Sequence, residues 1–232
     1  MRRLFRFIFV KIPLALILFS LAWVFALKYI PVVGTPLMLR RTVEFSEDKN
    51  FKTRYKWVPL EKMSPSMMKA VMASEDNLFP KHNGFAFDEV KKVYEAHILE
   101  GKKLRGCSTI SQQTAKNVFT SGKATWLRKG VEAYYTFLIE KIWGKRRIME
   151  VYLNVAEMGE GIYGIEAAAR HYWNKSAAKL TVKECALLAA CLPDPLDRNP
   201  TRVTRYLDKR SKAIMSLSRK LSYPDWITEI GK

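Results

Sequence analysis

Gly106-Cys107-Ser108-Thr109-Ile110-Ser111-Gln112-Gln113-Thr114-Ala115-Lys116-Asn117 sets the character of this chain. Thr109 followed three residues later by Gln112 is a capping box, which marks a helix start. A glycine loop feeding such a start presents free backbone N–H groups, and these suit an anion such as pyrophosphate. Thr109, Gln112, Gln113 and Lys116 then stand at i, i+3, i+4 and i+7, a polar stripe ending in a cation. Amides and hydroxyls replace the Glu and Lys of an ordinary solvated face. A binding face and a plain surface face both remain open from this stretch alone.

Outward from it the periodicity is helical. Ser64-Pro65 reads as a helix start, with Ser as the cap and Pro at the first helical position. That helix is expected to run through Met67, Met68 and Val71 to about Ser74. Residues 88–100 read as a second helix, stopped by Gly101. Residues 127–143 form a long amphipathic pattern with Val131, Tyr135, Leu138 and Ile142 as its apolar stripe, and Gly144 follows. Shorter helices are expected over residues 147–153 and 165–173. Thr181 and Glu184 make another capping box before the apolar run CALLAACL, which Pro193 and Pro195 end. A basic helix over residues 202–221 closes the chain. Strand signal is slight, so the fold class is mainly α.

The N-terminal end decides the compartment. Residues 12–27 (IPLALILFSLAWVFAL) carry no charge, and residues 7–10 extend the run across Lys11. A bilayer takes ~20 mostly apolar residues, and a lysine near the end of a span snorkels its amine to the headgroups. Arg2, Arg3, Arg6 and Lys11 precede the run and favour a cytoplasmic N-terminus, against Lys28, Arg40 and Arg41 after it. A cleaved signal peptide is the competing reading; the length of the run and the lack of a small-x-small site favour an anchor. The rest of the chain then lies outside the cytoplasm, which excludes nucleic acid as a partner. That matters because 40 Lys and Arg stand against 22 Asp and Glu, a net +18 that calls for a polyanion, an anionic membrane or a phosphorylated substrate. We expect residues 1–28 to be tail and transmembrane anchor, residues 29–58 a linker, and residues 59–232 a domain that folds without the anchor. Cys107, Cys185 and Cys191 have no metal-ligand spacing, and His82, His97 and His171 form no HExxH pair.

Four further stretches carry polar residues in unusual patterns. In Glu75-Asp76-Asn77-Leu78-Phe79-Pro80-Lys81-His82-Asn83-Gly84, Glu75 falls at a helix C-terminus, where the dipole disfavours its charge and suits it to be a base. Taken alone, the decapeptide reads first as a solvated helix end. In Arg128-Lys129-Gly130-Val131-Glu132, a carboxylate and two cations share one helix face; a helix salt bridge is the plainer account. Gly130 inside a helix costs about 1 kcal/mol against Ala, which close approach of a ligand or another helix would explain. Residues 145–154 (KRRIMEVYLN) and the run from Gly161-Ile162-Tyr163-Gly164 to Lys175 read as structural.

In this order and at these distances, the five stretches resemble the family 51 glycosyltransferases, the peptidoglycan glycosyltransferases. The patterns ED-x-x-F-x-x-H-x-G, G-x-S-T-x-x-Q-Q-x-x-K-N, R-K-x-x-E, K-R-x-I-x-E-x-Y-L-N and G-x-x-G-x-x-x-A-A-x-x-Y are all matched, over residues 60–200. Cys107 departs from the small residue usual there. Ser66-Met67-Met68-Lys69 and Ser176-Ala177-Ala178-Lys179 fit a transpeptidase nucleophile pattern, but no Lys-Ser/Thr-Gly occurs, so a monofunctional enzyme is expected. The resemblance implies a lysozyme-like, two-lobed domain with an apolar jaw near the inner membrane, acting on its periplasmic side. It implies a glycan donor on polyprenyl pyrophosphate and lipid II as acceptor, with inversion. It makes Glu75 the base and Glu132 the second carboxylate, orienting the cations or assisting departure. Lys116, Arg128 and Lys129 would hold the phosphates, with Ser108, Thr109, Gln112, Gln113 and Asn117. Asp76 would join the substrate contacts, and Phe79 and His82 would shape the acceptor side. No protein-built metal site is specified, though a divalent cation at the pyrophosphate is compatible. Other cell-wall synthases or division proteins are the expected protein partners. A lysozyme-like hydrolase and a non-enzymatic, lipid-binding basic protein are the rival readings.

Overall fold

Two runs of small and apolar residues make the centre of the molecule. The computed structural model describes residues 2–87, 91, 94, 95, 98, 99, 108–121 and 125–230. Helix α1 (Phe7–Tyr29) is the one described helix long and apolar enough to cross a membrane. It is followed by α2 (Pro36–Glu44), α3 (Pro65–Glu75), α4 (Ile110–Phe119), α5 (Trp126–Ile142), α6 (Gly144–Val155), α7 (Ile165–Trp173), α8 (Val182–Cys191) and α9 (Arg205–Ser218). In α8 every residue from Cys185 to Cys191 is buried, and in α3 Met67, Met68, Val71 and Met72 have no exposed surface. Helices apolar on all sides belong inside a protein. Accordingly α3, α8 and α9 pack together as one group, and α4, α5 and α6 as another. The expected helix over residues 88–100 lies largely outside the described residues, as do Gly106 and Cys107 of the glycine loop.

Most expected boundaries hold within a residue or two. Ser64 precedes α3 as expected, but its hydroxyl donates to the Leu180 carbonyl (3.1 Å) rather than capping the helix. The last helix starts later than expected because Thr204 caps it, accepting from Leu207 N at 3.3 Å. Gly144 ends α5 and at once opens α6, its φ of +75° turning the chain between them. On α5 the expected stripe holds in part: Leu138 is buried and Tyr135 and Ile142 pack on the core, but Val131 is 37% exposed, and Glu132, Thr136 and Ile139 face inward as well. Two polar residues inside the packed face make it wider than a hydrophobicity pattern shows.

The expected linker is also partly structured. Pro36 is the first residue of α2, not a breaker, and Thr35 caps it by accepting from Met38 N at 3.2 Å. Three short strands follow the same logic of late pairing: β1 (Arg54–Tyr55) runs parallel to β3 (Ile162–Tyr163), which is antiparallel to β2 (Glu157–Gly159). The chain just after β1 is held against α6 by buried Asn154, which donates to the Val58 carbonyl (2.9 Å) and accepts from Val58 N (2.9 Å). Gly164, at φ +78°, passes so close that a Cβ would sit 2.2 Å from the Asn154 carbonyl oxygen. Only glycine fits there.

The end of α1 is packed on the domain. Ser20, Val24 and Leu27 are buried. The hydroxyls of Ser20 and Tyr134 are 2.7 Å apart, Trp143 Nε1 donates to the Val24 carbonyl (2.7 Å), and Arg147 Nη2 donates to the Leu27 carbonyl (2.8 Å). Cutting at residue 28 therefore removes packing as well as the apolar helix. Protein lacking residues 1–28 is expected to fold but to lose roughly 5 kcal/mol or more, from three hydrogen bonds and two buried apolar side chains. Denaturant unfolding in detergent, compared with the full chain, measures this.

Candidate active site

The site begins where α3 stops. Asp76 follows directly and turns inward, and its carboxylate accepts the first N–H of α4, that of Ile110, at 3.0 Å. His82 Nε2 donates to the same carboxylate at 2.9 Å, while His82 Nδ1 accepts from Gly84 N at 3.0 Å. The proton on His82 is thus on Nε2. The Gly84 carbonyl accepts from Thr109 Oγ1 (2.7 Å), and Thr109 and Gln112 complete the expected capping box. A carboxylate at a helix N-terminus is favoured by the dipole and by the free N–H groups. The two stretches richest in polar residues are in this way tied to each other.

Four residues expected at the substrate lie inside the protein. Asp76 and Thr109 are buried, Phe79 has no exposed surface, and the His82 ring is largely enclosed. None of them lines the cleft; their polar groups are taken up by one another, and Phe79 lies under Lys145 Nζ at 4.6 Å. Their contacts hold the start of α4 against the end of α3. Gln112 likewise uses its amide oxygen on Thr109 N (3.0 Å). Ser108 is exposed, its carbonyl 3.5 Å from Gln113 Nε2.

Glu75 is half-buried beside Gln113. Its carboxylate accepts from Gln113 Nε2 (3.1 Å) and from Ser74 Oγ (3.0 Å). Gln113 Oε1 in turn accepts from the Tyr152 hydroxyl at 3.3 Å. Burial raises the Tyr152 pKa well above the usual phenol range, and Glu75 and Asp76 add to this, so the hydroxyl remains a donor. Beyond Gln113 opens a cleft of about 430 Å³. Lys116, Asn117 and Arg128 line it, as expected, and so do Arg40, Arg41 and Glu157, which were not anticipated. Arg41 and Glu157 form a two-pronged ion pair, at 3.0 and 3.1 Å. Lys116 stands at the mouth, where burial of its amine lowers its pKa from the ordinary lysine value; Glu132 opposes the shift, and Arg128 and Lys129 reinforce it.

Glu132 is 2% exposed and is absent from the cleft wall. It holds Lys129 at 2.5 Å and Arg128 at 3.4 Å. Of the two expected roles, orientation of the cations fits this burial. Lys129 is half-exposed and does not line the cleft. Gly130 has no described neighbour within 4 Å of an added Cβ, so no close approach of another described helix explains it. Among the described residues no three His, Cys, Asp or Glu side chains gather as metal ligands.

Residues 38–219 match the model of a family described as Transglycosylase. The chain belongs to the transglycosylase family. Relatives agree over nearly its whole length. A biosynthetic peptidoglycan transglycosylase of Bacteroides thetaiotaomicron is 47% identical over 217 residues, covering 93% of this chain and 84% of that protein. One from Caulobacter vibrioides is 46% identical over 213 residues, covering 92% and 90%. In this transglycosylase the residues that sequence missed, Arg40, Arg41 and Glu157, lie in elements read as linker or loop; the only signal was the adjacent pair of arginines itself.

Two mutations separate positioning from binding. Asp76→Ala leaves the Ile110 N–H and His82 without an acceptor and is expected to lower unfolding stability by about 2–4 kcal/mol in urea titration. Lys116→Ala should leave stability within about 0.5 kcal/mol and weaken inorganic pyrophosphate binding about tenfold or more. Because the Lys116 pKa is lowered, its charge is lost earlier as pH rises, so pyrophosphate affinity should decline on the alkaline side. Lys116→Arg should remove that decline in calorimetric titrations across pH.

Proposed function

We propose that this peptidoglycan glycosyltransferase polymerises lipid II into β-1,4-linked glycan strands. The growing strand on polyprenyl pyrophosphate is the donor, and the 4-hydroxyl of lipid II's GlcNAc is the acceptor. The observation that carries this reading is the hydrogen-bonded run from Glu75 through Gln113 into a cleft lined by cations. Glu75 removes the hydroxyl proton as the oxygen bonds to the donor's anomeric carbon. On the opposite face the bond from that carbon to the phosphate oxygen breaks, with inversion. Pyrophosphate is already a good leaving group, so its developing charge needs neutralisation more than it needs an acid. Lys116 and Arg128 supply that, and Glu132 beneath them fixes the guanidinium and limits the repulsion between like charges.

The substrate's setting supports the same reading. Helix α1 would anchor the chain as a single span with its N-terminus in the cytoplasm and the domain outside the inner membrane, beside a lipid-linked substrate. A divalent cation, where one takes part, would arrive on the pyrophosphate. Other cell-wall synthases or division proteins would be its partners at the growing wall. A hydrolase acting on finished, soluble glycan would need neither the apolar helix nor the cation-lined cleft.

Labelled lipid II, with and without lysozyme digestion of the product, tests this directly. Wild-type protein should yield polymer that lysozyme degrades, and should not cleave preformed glycan. Glu75→Gln keeps the side chain's size but cannot accept the proton. It should still bind lipid II while polymerisation falls at least ~10²-fold. Near-native polymerisation by this variant would sink the mechanism.

A further inference from the structure

We propose that Arg40 is a further ligand of the substrate's diphosphate, contributed by α2 from the segment next to the membrane anchor. The proposal rests on the reading of the cleft as the site of a diphosphate-linked donor, and it adds to that reading a residue outside all five sequence stretches. Among the described residues only three buried side-chain polar atoms lack a hydrogen-bond partner: Arg40 Nε, Arg128 Nε and the Tyr163 hydroxyl. Two of the three are guanidinium nitrogens on different helices, and both residues line one cleft. Buried N–H groups are rarely left unpaired, because the lost solvation is not recovered. Their shared location points to one missing acceptor.

The charge balance of the cleft identifies that acceptor's chemistry. Glu157, the carboxylate in its wall, is held through both oxygens by Arg41, which Glu44 also meets at 2.9 Å. Glu132 is occupied by Lys129 and Arg128. Arg40 and Lys116 are then left without a carboxylate partner among the described residues, and Arg128 still has an unused donor. Three cationic side chains with free donors fit a dianion rich in oxygen, which a diphosphate diester is. Placement fits as well. Helix α2 begins at Pro36, shortly after α1 ends at Tyr29, so Arg40 stands near the membrane surface, where the diphosphate of a lipid-linked sugar lies.

The phosphates could instead be those of ordinary lipid headgroups, and the test separates the two sources. Full-length wild type, Arg40→Ala and Arg40→Lys are compared in three assays: steady-state polymerisation of lipid II, titration with inorganic pyrophosphate, and sedimentation with phosphatidylglycerol vesicles lacking lipid II. Lys212→Ala, on the exposed face of α9, is the control. Arg40→Ala should raise the KM for lipid II and the Kd for pyrophosphate about tenfold or more, with kcat changed less. Arg40→Lys, which keeps the charge but loses the forked donor, should fall between. Vesicle binding should be unchanged. If Arg40→Ala misfolds by circular dichroism, Arg40→Lys alone decides. Pyrophosphate affinity and KM within about twofold of wild type would overturn the assignment, as would a loss confined to vesicle binding. A wild-type protein that fails to polymerise lipid II would instead refute the proposed reaction, and the pyrophosphate comparison would still decide Arg40.

Discussion

The carboxylate of Asp76 is the joint on which the site depends. It is buried, and it accepts from the first N–H of α4 and from His82. The helix ending just before it packs with α8 and α9; the helix it caps packs with α5 and α6. One side chain thus connects the two helical groups at the point where they must not move apart. Its neighbour Glu75 ends one group, and Gln113 and Lys116 stand on the first turns of the other. The 3.1 Å bond between Glu75 and Gln113 is a consequence of that joint. Positions set by helix ends in this way are more rigid than positions set by loops, which is what a reacting geometry requires.

A second constraint is the crowding of positive charge. Lys116, Arg128, Lys129, Arg40 and Arg41 would repel one another if left bare. The fold sets a buried carboxylate, Glu132, behind the cations of α5, and Glu157 against Arg41. On an exposed helix a base preceding its acid is the weaker arrangement. Burial of Glu132 changes the comparison, since a carboxylate 2% exposed needs its partners whatever their order.

Much of the fold was legible because its signals are local. Capping boxes at Thr109 and Thr181 and the prolines at Pro65 and after α8 are read from a few residues, and they mark the helices where they occur. The full width of the buried face of α5 was not legible, because Glu132 and Thr136 are polar by type and buried only by tertiary context. Helix α2 was hidden behind Pro36 and Gly34, which read as breakers until Thr35 is seen capping. In the site, the sequence brought out Gln113, Lys116, Asn117 and Arg128, which line one cleft, and Glu75, which bonds to Gln113. Asp76, Phe79, His82 and Thr109 lie inside the protein, and a motif does not distinguish a residue that touches a ligand from one that holds its neighbours. Arg40, Arg41 and Glu157 come together only through long-range packing of α2 on α4 and of β2 on β3.

The contact between Ser20 and Tyr134 fixes a depth. Ser20 lies nine residues before the end of α1, or roughly 14 Å along the helix axis. A bilayer's hydrocarbon layer is ~30 Å thick, and α1 is about 35 Å long, so with α1 spanning the membrane that contact lies below the outer water line. Helix α5 is then immersed where it meets α1, and its exposed Trp126, Leu127 and Phe137 are suited to lipid, not water. The boundary between the two solvents would cross the folded domain itself. A substrate whose tail stays in the bilayer then needs no extraction: its headgroup and the cleft are brought to the same level by the immersion of the enzyme.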